Sequence, residues 1–199
     1  MDDLVLVTGP VALRRPEPSD AAEFLDHVEA SRDLHRGLVE PPASEVSFYA
    51  YVNRIRHPAY DGFLVRTVDS DRLVGVVNVN SIVRGSIQSA SIGYYRLSDG
   101  GGRDAMSRAV ARVVRHAFDD LGLHRVEANI QPSNARSIAL VSSIGFTKEG
   151  YSPAFLRIGG EWRDHERWAV VAEHWILAPT TPPGARTARG SRRPARPNP

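Results

Sequence analysis

The stretch "FDDLGLHRVEANIQPSNARSIALVSSIGFTKEGY", residues 118–151, decides the fold. It reads as helix end, strand, helix, strand. Gly122 follows a periodic segment and stops it, as glycine does just past a helix C-terminus. "HRVEANI" reads as a strand. A helix then runs from about Ser133 to Ile144, with Gly145 as its terminator. That helix poses a question. Asn134 and Ser137 are three apart, so they share a face. A solvated surface explains such a face, and so does a binding site.

Upstream, "SDGGGRDAMSRAVARVVRHAFDDLGL" ends a strand in glycines and predicts a helix from about Asp104 to Leu121. Met106, Val110, Val113, Ala117 and Leu121 recur at spacings of three and four, which gives a buried stripe. "GFLVRTV" and "RLVGVVNVNSIV" are β-branched runs parted by the turn "DSDR". With "SASIGYYRL" they predict an antiparallel meander. "PVALRRP" predicts a first strand. Ser19 is expected to cap a helix through about Ala30, with Asp20 favourable in its first turn. A polar, proline-marked connection follows. "SEVSFYAYVNRIR" predicts a helix, with Val46, Tyr49, Val52 or Asn53, and Ile55 or Arg56 at mixed helical spacing. Downstream, "FTKEGYSPAFLRI" and "EWRDHERWAVVAEHWIL" predict a closing hairpin around "GG". The order β-α-α-β-β-β-α-β-α-β-β is that of one mixed α/β domain with one main sheet. It is expected over residues 11–177, after an extension at 1–10 and before a tail at 178–199.

Composition narrows the chemistry. The 199 residues include no cysteine, which removes disulfides, thiolate metal sites and a cysteine nucleophile and fits a cytoplasmic protein. No apolar run approaches the roughly 20 residues of a membrane span. The acidic start "MDDLVLVTG" lacks the basic opening of a secretory signal. From Pro179 the chain reads "PTTPPGARTARGSRRPARPNP", with five arginines and no acid. Taking those five from 25 basic residues leaves 20 against 23 acidic ones, a body near −3. The tail's composition predicts disorder. It suits either a solvated terminus or weak contact with RNA or another polyanion.

Several site classes fall away. "GGG" is neither GxGxxG nor a P-loop, and the single lysine is Lys148. Antiparallel hairpins stand where a dinucleotide fold needs βαβ repeats. The seven histidines, His27, His35, His57, His116, His124, His165 and His174, show no ligand pair, so no metal is expected. No GxSxG elbow occurs. "RDHE" at 163–166 reads as hairpin surface, and Trp162 and Trp168, six apart on one strand face, as packing.

The combination of strand, glycine loop, helix, strand, "PSN" and a helix carrying Ser137 resembles the GCN5-related N-acetyltransferase (GNAT) superfamily. Within it, the chain looks like the Rim-type N-terminal acetyltransferases of ribosomal proteins. The resemblance rests on "LRRPEPSDA" (13–21), "SIGYYRLSDGGGRDAMSRAV" (91–110), the opening stretch and "IGGEWRDHERWAV" (158–170). It implies a mixed, mostly antiparallel sheet flanked by helices, with a V-shaped cleft where "ASIGYYRL" and "RVEANIQ" splay apart. Acetyl-CoA is the implied co-substrate. The backbone of Tyr94, Tyr95, Arg96 and Leu97 is then expected to hold the pantetheine arm. Gly101, Gly102, Arg103 and Asp104 are expected to receive the pyrophosphate. Asn134 is expected to hydrogen-bond the pantetheine, and Ser137 to sit near the thioester sulfur and help the thiolate leave.

The chain departs from that family's pattern in two respects. Its Q/R-x-x-G-x-G/A loop falls on Asp99, Gly102 and Asp104, of which Gly102 alone matches, and Asp104 is either a helix cap or an unfavourable neighbour of phosphate. A glutamate present in some members falls on Leu156. The chemistry still needs an ammonium to lose a proton before attack on the thioester. Glu127 is the candidate base, through water; an ion pair with a neighbouring arginine is its other reading. Backbone N–H groups of the Tyr94 strand are candidates to stabilise the oxyanion. The implied function is transfer of acetyl to a primary amine by direct attack, with a protein or peptide N-terminal α-amine, a ribosomal one included, as the first expectation. A small-molecule amine, or a degenerate acyl-CoA-binding module without catalysis, stays open, as does monomer or homodimer.

Overall fold

The computed structural model describes residues 5–97, 102 and 104–177. The expectations for Gly101, Arg103 and the 178–199 tail lie outside the described residues.

One eight-stranded sheet organises the chain. Its strands are β1 (Val5–Thr8), β2 (Val11–Arg14), β3 (Asp61–Thr67), β4 (Leu73–Val83), β5 (Ser89–Arg96), β6 (Arg125–Ile130), β7 (Thr147–Ile158) and β8 (Glu161–Val171). They lie in the order β1-β2-β3-β4-β5-β6-β8-β7. Among the described strands only β5 and β6 run parallel, because helix α4 (Ala105–Asp119) crosses over between them. The remaining helices are α1 (Ala21–Ala30), α2 (Arg32–His35), α3 (Glu45–Ile55), α5 (Ala135–Ser143) and α6 (Ala172–Leu177). The predicted meander is β3-β4-β5.

The sheet is covered on both faces. Met106, Val110, Val113 and Ala117 of α4, the predicted stripe, join Phe63, Val65, Val77, Val126 and Ala128 in the larger apolar cluster. Phe24 and Val28 of α1 and Phe48, Tyr51, Val52 and Ile55 of α3 cover Leu64, Val76 and Leu97 on the other side. Strand β3 lies between the two layers, which is why every residue in it is buried. Such a strand needs apolar side chains on both faces rather than alternation. Gly122 and Gly145 end their helices with φ of 62° and 99°, the left-handed geometry that only glycine adopts without strain.

Four expectations are corrected. Residues 5–8, read as part of an extension, form an edge strand paired with β2. Ser19 does not cap α1; it sits within a 3-10 turn, Pro18–Asp20. The cap there is made by Asp20, whose carboxylate accepts from Glu17 N at 2.7 Å and from Arg14 Nη1 at 2.8 Å. Helix α3 is phased differently from its aliphatic pattern. Its inner face is set by Phe48 and Tyr51, with Phe48 at 4.6 Å centroid distance from Phe24, while Val46 is 81% exposed. On the closing hairpin, Trp162 is 64% exposed whereas His165 of "RDHE" is buried. A bulge between Ser152 and Leu156 brings the Phe155 ring edge-on to His165.

Candidate active site

The cleft begins where a ladder stops. β5 and β6 pair only at Ser89↔Arg125, Ala90↔Val126 and Ser91↔Glu127. Beyond that point β5 continues on β4 alone, from Ile92↔Val79 to Arg96↔Gly75. β6 continues on β8 alone, from Ala128↔Trp168 to Ile130↔Glu166. The two strands therefore part as a V. The Tyr94 side chain bridges the gap, its phenol donating to Ser137 O of α5 at 3.2 Å.

The inner edge of the V carries free backbone groups. Leu97 N donates to Val74 O of β4 at 2.9 Å. Successive residues of a strand turn their N–H and C=O groups to opposite sides. The backbone groups of Tyr94 and Arg96 therefore face away from β4, into the cleft. A cavity of about 190 Å³ lies there, lined by Tyr94, Tyr95, Met106, Asn134, Ser137 and Leu140 among others, with no carboxylate among the described residues of its wall. Burial pushes the Tyr94 phenol up to about 12, against the opposing pull of its bond to Ser137. Burial raises the Tyr95 phenol well above its ordinary value too. Both rings are neutral donors at neutral pH.

The expected residues divide into two groups. Tyr94, Tyr95, Arg96, Asn134 and Ser137 come together around this cavity. Asn134 is the N-cap of α5, its side chain accepting from Ser137 N at 3.2 Å. The shared face that the sequence posed is therefore a cap and a cavity wall at once. Leu97 is fully buried beneath β5 in the α1–α3 cluster. Gly102 is exposed with φ 91° beside the start of α4. Asp104 occupies the N-cap position of α4 but makes no side-chain cap bond.

Glu127 is held elsewhere. It lies at the last rung of the β5–β6 ladder, on the face opposite Val126 and Ala128, which point into the α4 cluster. Arg125 Nε donates to it at 2.7 Å. Arg125 also grips Glu149, whose carboxylate is lowered first of all by that hydrogen bond. Glu127 does not line the cavity.

A residue that no motif announced does line it. His35, at the end of α2, is 5% exposed and bonds the Arg96 carbonyl through Nε2 at 2.9 Å. Its ring meets Tyr95 edge-on at 5.3 Å. The chain that follows is tied to the other arm of the V, with Gln131 Nε2 donating to Gly37 O at 2.7 Å. It is also tied to the closing hairpin, with Gly159 N donating to Glu40 Oε1 at 3.1 Å. The segment after α1 is thus a strap across the mouth of the V.

This arrangement suits a thin, amide-bearing, apolar arm. Unpaired strand groups offer it donors and acceptors, and the Ser137 side chain lies beside its path. Among the described residues no three His, Asp or Glu side chains are grouped to hold a metal. No described helix is long and apolar enough to cross a membrane.

Comparison with known proteins agrees with that geometry. Residues 11–147 match the model of the acetyltransferase (GNAT) domain family. The chain is 37% identical over 177 residues to YjcK of Bacillus subtilis (strain 168), named a probable N-acetyltransferase, covering 83% of this chain and 97% of that one. It is 36% identical over 107 residues to the ribosomal protein uS5-alanine N-acetyltransferase of Escherichia coli (strain K12), a match spanning 54% of this chain and 55% of that one. Among solved structures, Mycobacterium smegmatis RimJ in complex with CoA-disulfide superposes with a TM-score of 0.79 at 26% identity, over 90% of each chain. Spermidine N-acetyltransferase from Vibrio cholerae, in complex with CoA and spermine, shares the fold with a TM-score of 0.72 at 20% identity, over 85% of this chain and 99% of that one.

Proposed function

Since the chain belongs to the GNAT acetyltransferase family, we propose that it acetylates the α-amine at the N-terminus of a protein or peptide by direct attack on acetyl-CoA. The activity class and co-substrate are those of the family: an N-acetyltransferase that uses acetyl-CoA. One observation carries the placement of the reaction. The backbone edge of β5 at Tyr94 and Arg96 has no neighbouring strand where β5 and β6 part, the Arg96 carbonyl being met by His35 instead, and Ser137 lies alongside it.

Acetyl-CoA supplies an activated thioester. The backbone groups of Tyr94 and the N–H of Arg96 bind its amide arm as a neighbouring strand would. Asn134 fixes the first turn of α5 and so fixes Ser137, whose hydroxyl gives a proton to the leaving sulfur. Gly102 and the start of α4, with Gly101 and Arg103, receive the phosphates. Asp104, at the same helix start, weakens that end of the site. The acceptor reading rests on the likeness to the uS5-alanine enzyme. Spermidine acetylation has only a shared fold behind it, at 20% identity.

Calorimetry with acetyl-CoA, followed by a screen of N-terminal peptides against polyamines and amino acids, tests this reading. The expected outcome is micromolar to millimolar binding and acetylation of at least one peptide α-amine. Binding without turnover on any amine would leave an acyl-CoA-binding module, the reading that Asp99 and Asp104 favour.

A further inference from the structure

The amine that attacks must first lose a proton, and among the described residues the cleft wall holds no carboxylate to take it. It holds one imidazole. The Nε2 atom of His35 lies 2.9 Å from the Arg96 carbonyl oxygen, and a carbonyl can only accept. Nε2 therefore carries the hydrogen, and Nδ1 carries the lone pair. That Nδ1 atom is buried and has no hydrogen-bond partner. Buried polar atoms in native proteins are almost always paired, so an orphan asks for an explanation. The arrangement is specific: one ring nitrogen is fixed by backbone, and the other is buried without a partner.

The position of the ring explains what it waits for. A second cavity of about 380 Å³ lies on its far side, between α1, the strap and the tip of the closing hairpin. His35 and Val39 line both cavities, so they form the wall between them. The second cavity is lined by Glu29 and Glu40 together with Arg32 and Arg36, whereas the described charged residues that line the cleft are Arg96 and Arg136. Among the described residues an ammonium meets carboxylates on the second cavity's side alone, and His35 stands in the wall between that side and the cleft.

We infer that His35 is the proton acceptor for the amine, and that the second cavity is the acceptor's entry. This rests on the acetyltransferase reading above. The step balances as follows. Nδ1 takes one proton from the ammonium, and the freed lone pair forms the C–N bond at the acetyl carbonyl carbon. On collapse the C–S bond breaks and its electron pair leaves on sulfur. The second N–H proton passes to that sulfur by way of the Ser137 hydroxyl, the third stays on the amide, and the imidazolium proton goes to solvent. Nε2–H stays on the Arg96 carbonyl throughout, so the ring need not turn. The charged and titratable groups around the ring are Arg32 on α2, Arg36 just beyond it, Glu29 on α1, Glu40 on the strap, Tyr95 and Arg96 on β5, and Arg136 on α5.

His35→Gln separates proton transfer from anchoring, because a glutamine amide can still donate to the Arg96 carbonyl but cannot take a proton. With an alanine-starting peptide as acceptor, kcat is expected to fall about 100-fold at neutral pH, with acetyl-CoA affinity by calorimetry within twofold. The deficit is expected to shrink as pH rises and the peptide amine deprotonates unaided. An unchanged kcat overturns the assignment. So does lost acetyl-CoA binding with kcat intact, which would make His35 an anchor of the strap alone. Heteronuclear NMR of the histidine ring nitrogens in the wild-type protein gives a reading that needs neither turnover nor the variant. It is expected to show His35 protonated at Nε2 and bare at Nδ1, and an Nδ1–H ring overturns the inference. If wild-type protein binds acetyl-CoA but acetylates no amine, the functional reading fails, and the ring tautomer still decides the role given to His35.

Discussion

Two of the three buried histidines among the described residues sit in opposite circumstances. His116, on α4, has both nitrogens engaged: Nε2 lies 3.1 Å from Asp61 Oδ2, and Nδ1 lies 2.7 Å from Asp120 Oδ2. Asp61 is saturated in turn by Arg15 Nε at 2.9 Å, Arg15 Nη2 at 3.0 Å and Gly62 N at 2.9 Å. His35 has one partner and one bare nitrogen. The first network joins the chain just beyond β2, the start of β3 and the end of α4, and both ring nitrogens of its histidine are taken. The second joins α2 to the open edge of β5 and stops one bond short. A filled network holds elements together; an unfilled one beside a cavity has capacity for chemistry.

The largest effect that this contrast predicts is on stability. Asp61→Ala leaves Arg15 and His116 facing an emptied site, and the loss of one partner from a buried ionic network costs about 3–5 kcal/mol. Urea denaturation is the measurement, and a loss below 1 kcal/mol would dissolve the contrast. Next comes Gly75→Ala, on the cleft side. A methyl there meets Met106 Sδ, and Tyr95 O at 2.9 Å. Overpacking of this kind costs about 1–3 kcal/mol. It also drives Met106 into the cavity, so weaker acetyl-CoA binding is expected in the same protein by calorimetry.

Ser137→Ala is expected to lower kcat about tenfold, roughly 1.4 kcal/mol in the barrier, while acetyl-CoA affinity holds. Weakened affinity at constant kcat would move Ser137 from leaving-group assistance to arm binding.

A smaller effect is written in the pH dependence of the saturated site. Burial disfavours the His116 charge, but the bonds to Asp61 and Asp120 outweigh it and raise its pKa. That contribution is complete below about pH 6.5 and drains as pH rises through the folded value. Burial likewise acts to raise Asp61, but the bonds from His116 and Arg15 lower it on balance. Its contribution is complete above about pH 4 and is lost as pH falls. The urea midpoint of the wild-type protein is therefore expected to decline from pH 6 to more alkaline values, and that decline is expected to flatten in His116→Gln. The smallest expected effect is none: Glu127→Gln leaves the pH–rate profile unchanged, because its ion pair with Arg125 keeps it out of the cleft. A displaced alkaline-rising limb in that variant would return Glu127 to the role of base and sharpen the case against His35.

The features legible in the sequence are those with short-range causes. The stripe on α4, Gly122 and Gly145 as terminators, and the shared side of Asn134 and Ser137 each depend on residues a few places apart. What escaped depends on distant partners. Helix α3 turns a different face inward because Phe48 and Tyr51 find Phe24 and, through Tyr51 Oη donating to Asn78 Oδ1 at 2.8 Å, a strand 27 residues away. The sequence marks Asp20 as a charge at a helix start, but its carboxylate is bound by Arg14 across the turn. His35 was one of seven histidines without a motif, and its meaning comes from a carbonyl 61 residues further on. Its one sequence signal was weak: a histidine in a polar connection that follows an amphipathic helix.

The parting of β5 and β6 has a further consequence, in the protein's resistance to association. A strand with unpaired N–H and C=O groups is a template for another chain, and proteins blunt such edges at the rim of a sheet. Here the bare edge lies in the middle of the sheet, with β6 and α5 on one side and the strap from His35 to Glu40 across the opening. A second sheet is too wide to enter. A single linear molecule with amides along it is not. The same recess that lets β5 stay unpaired without inviting aggregation is a size filter, and what passes it is one chain thick.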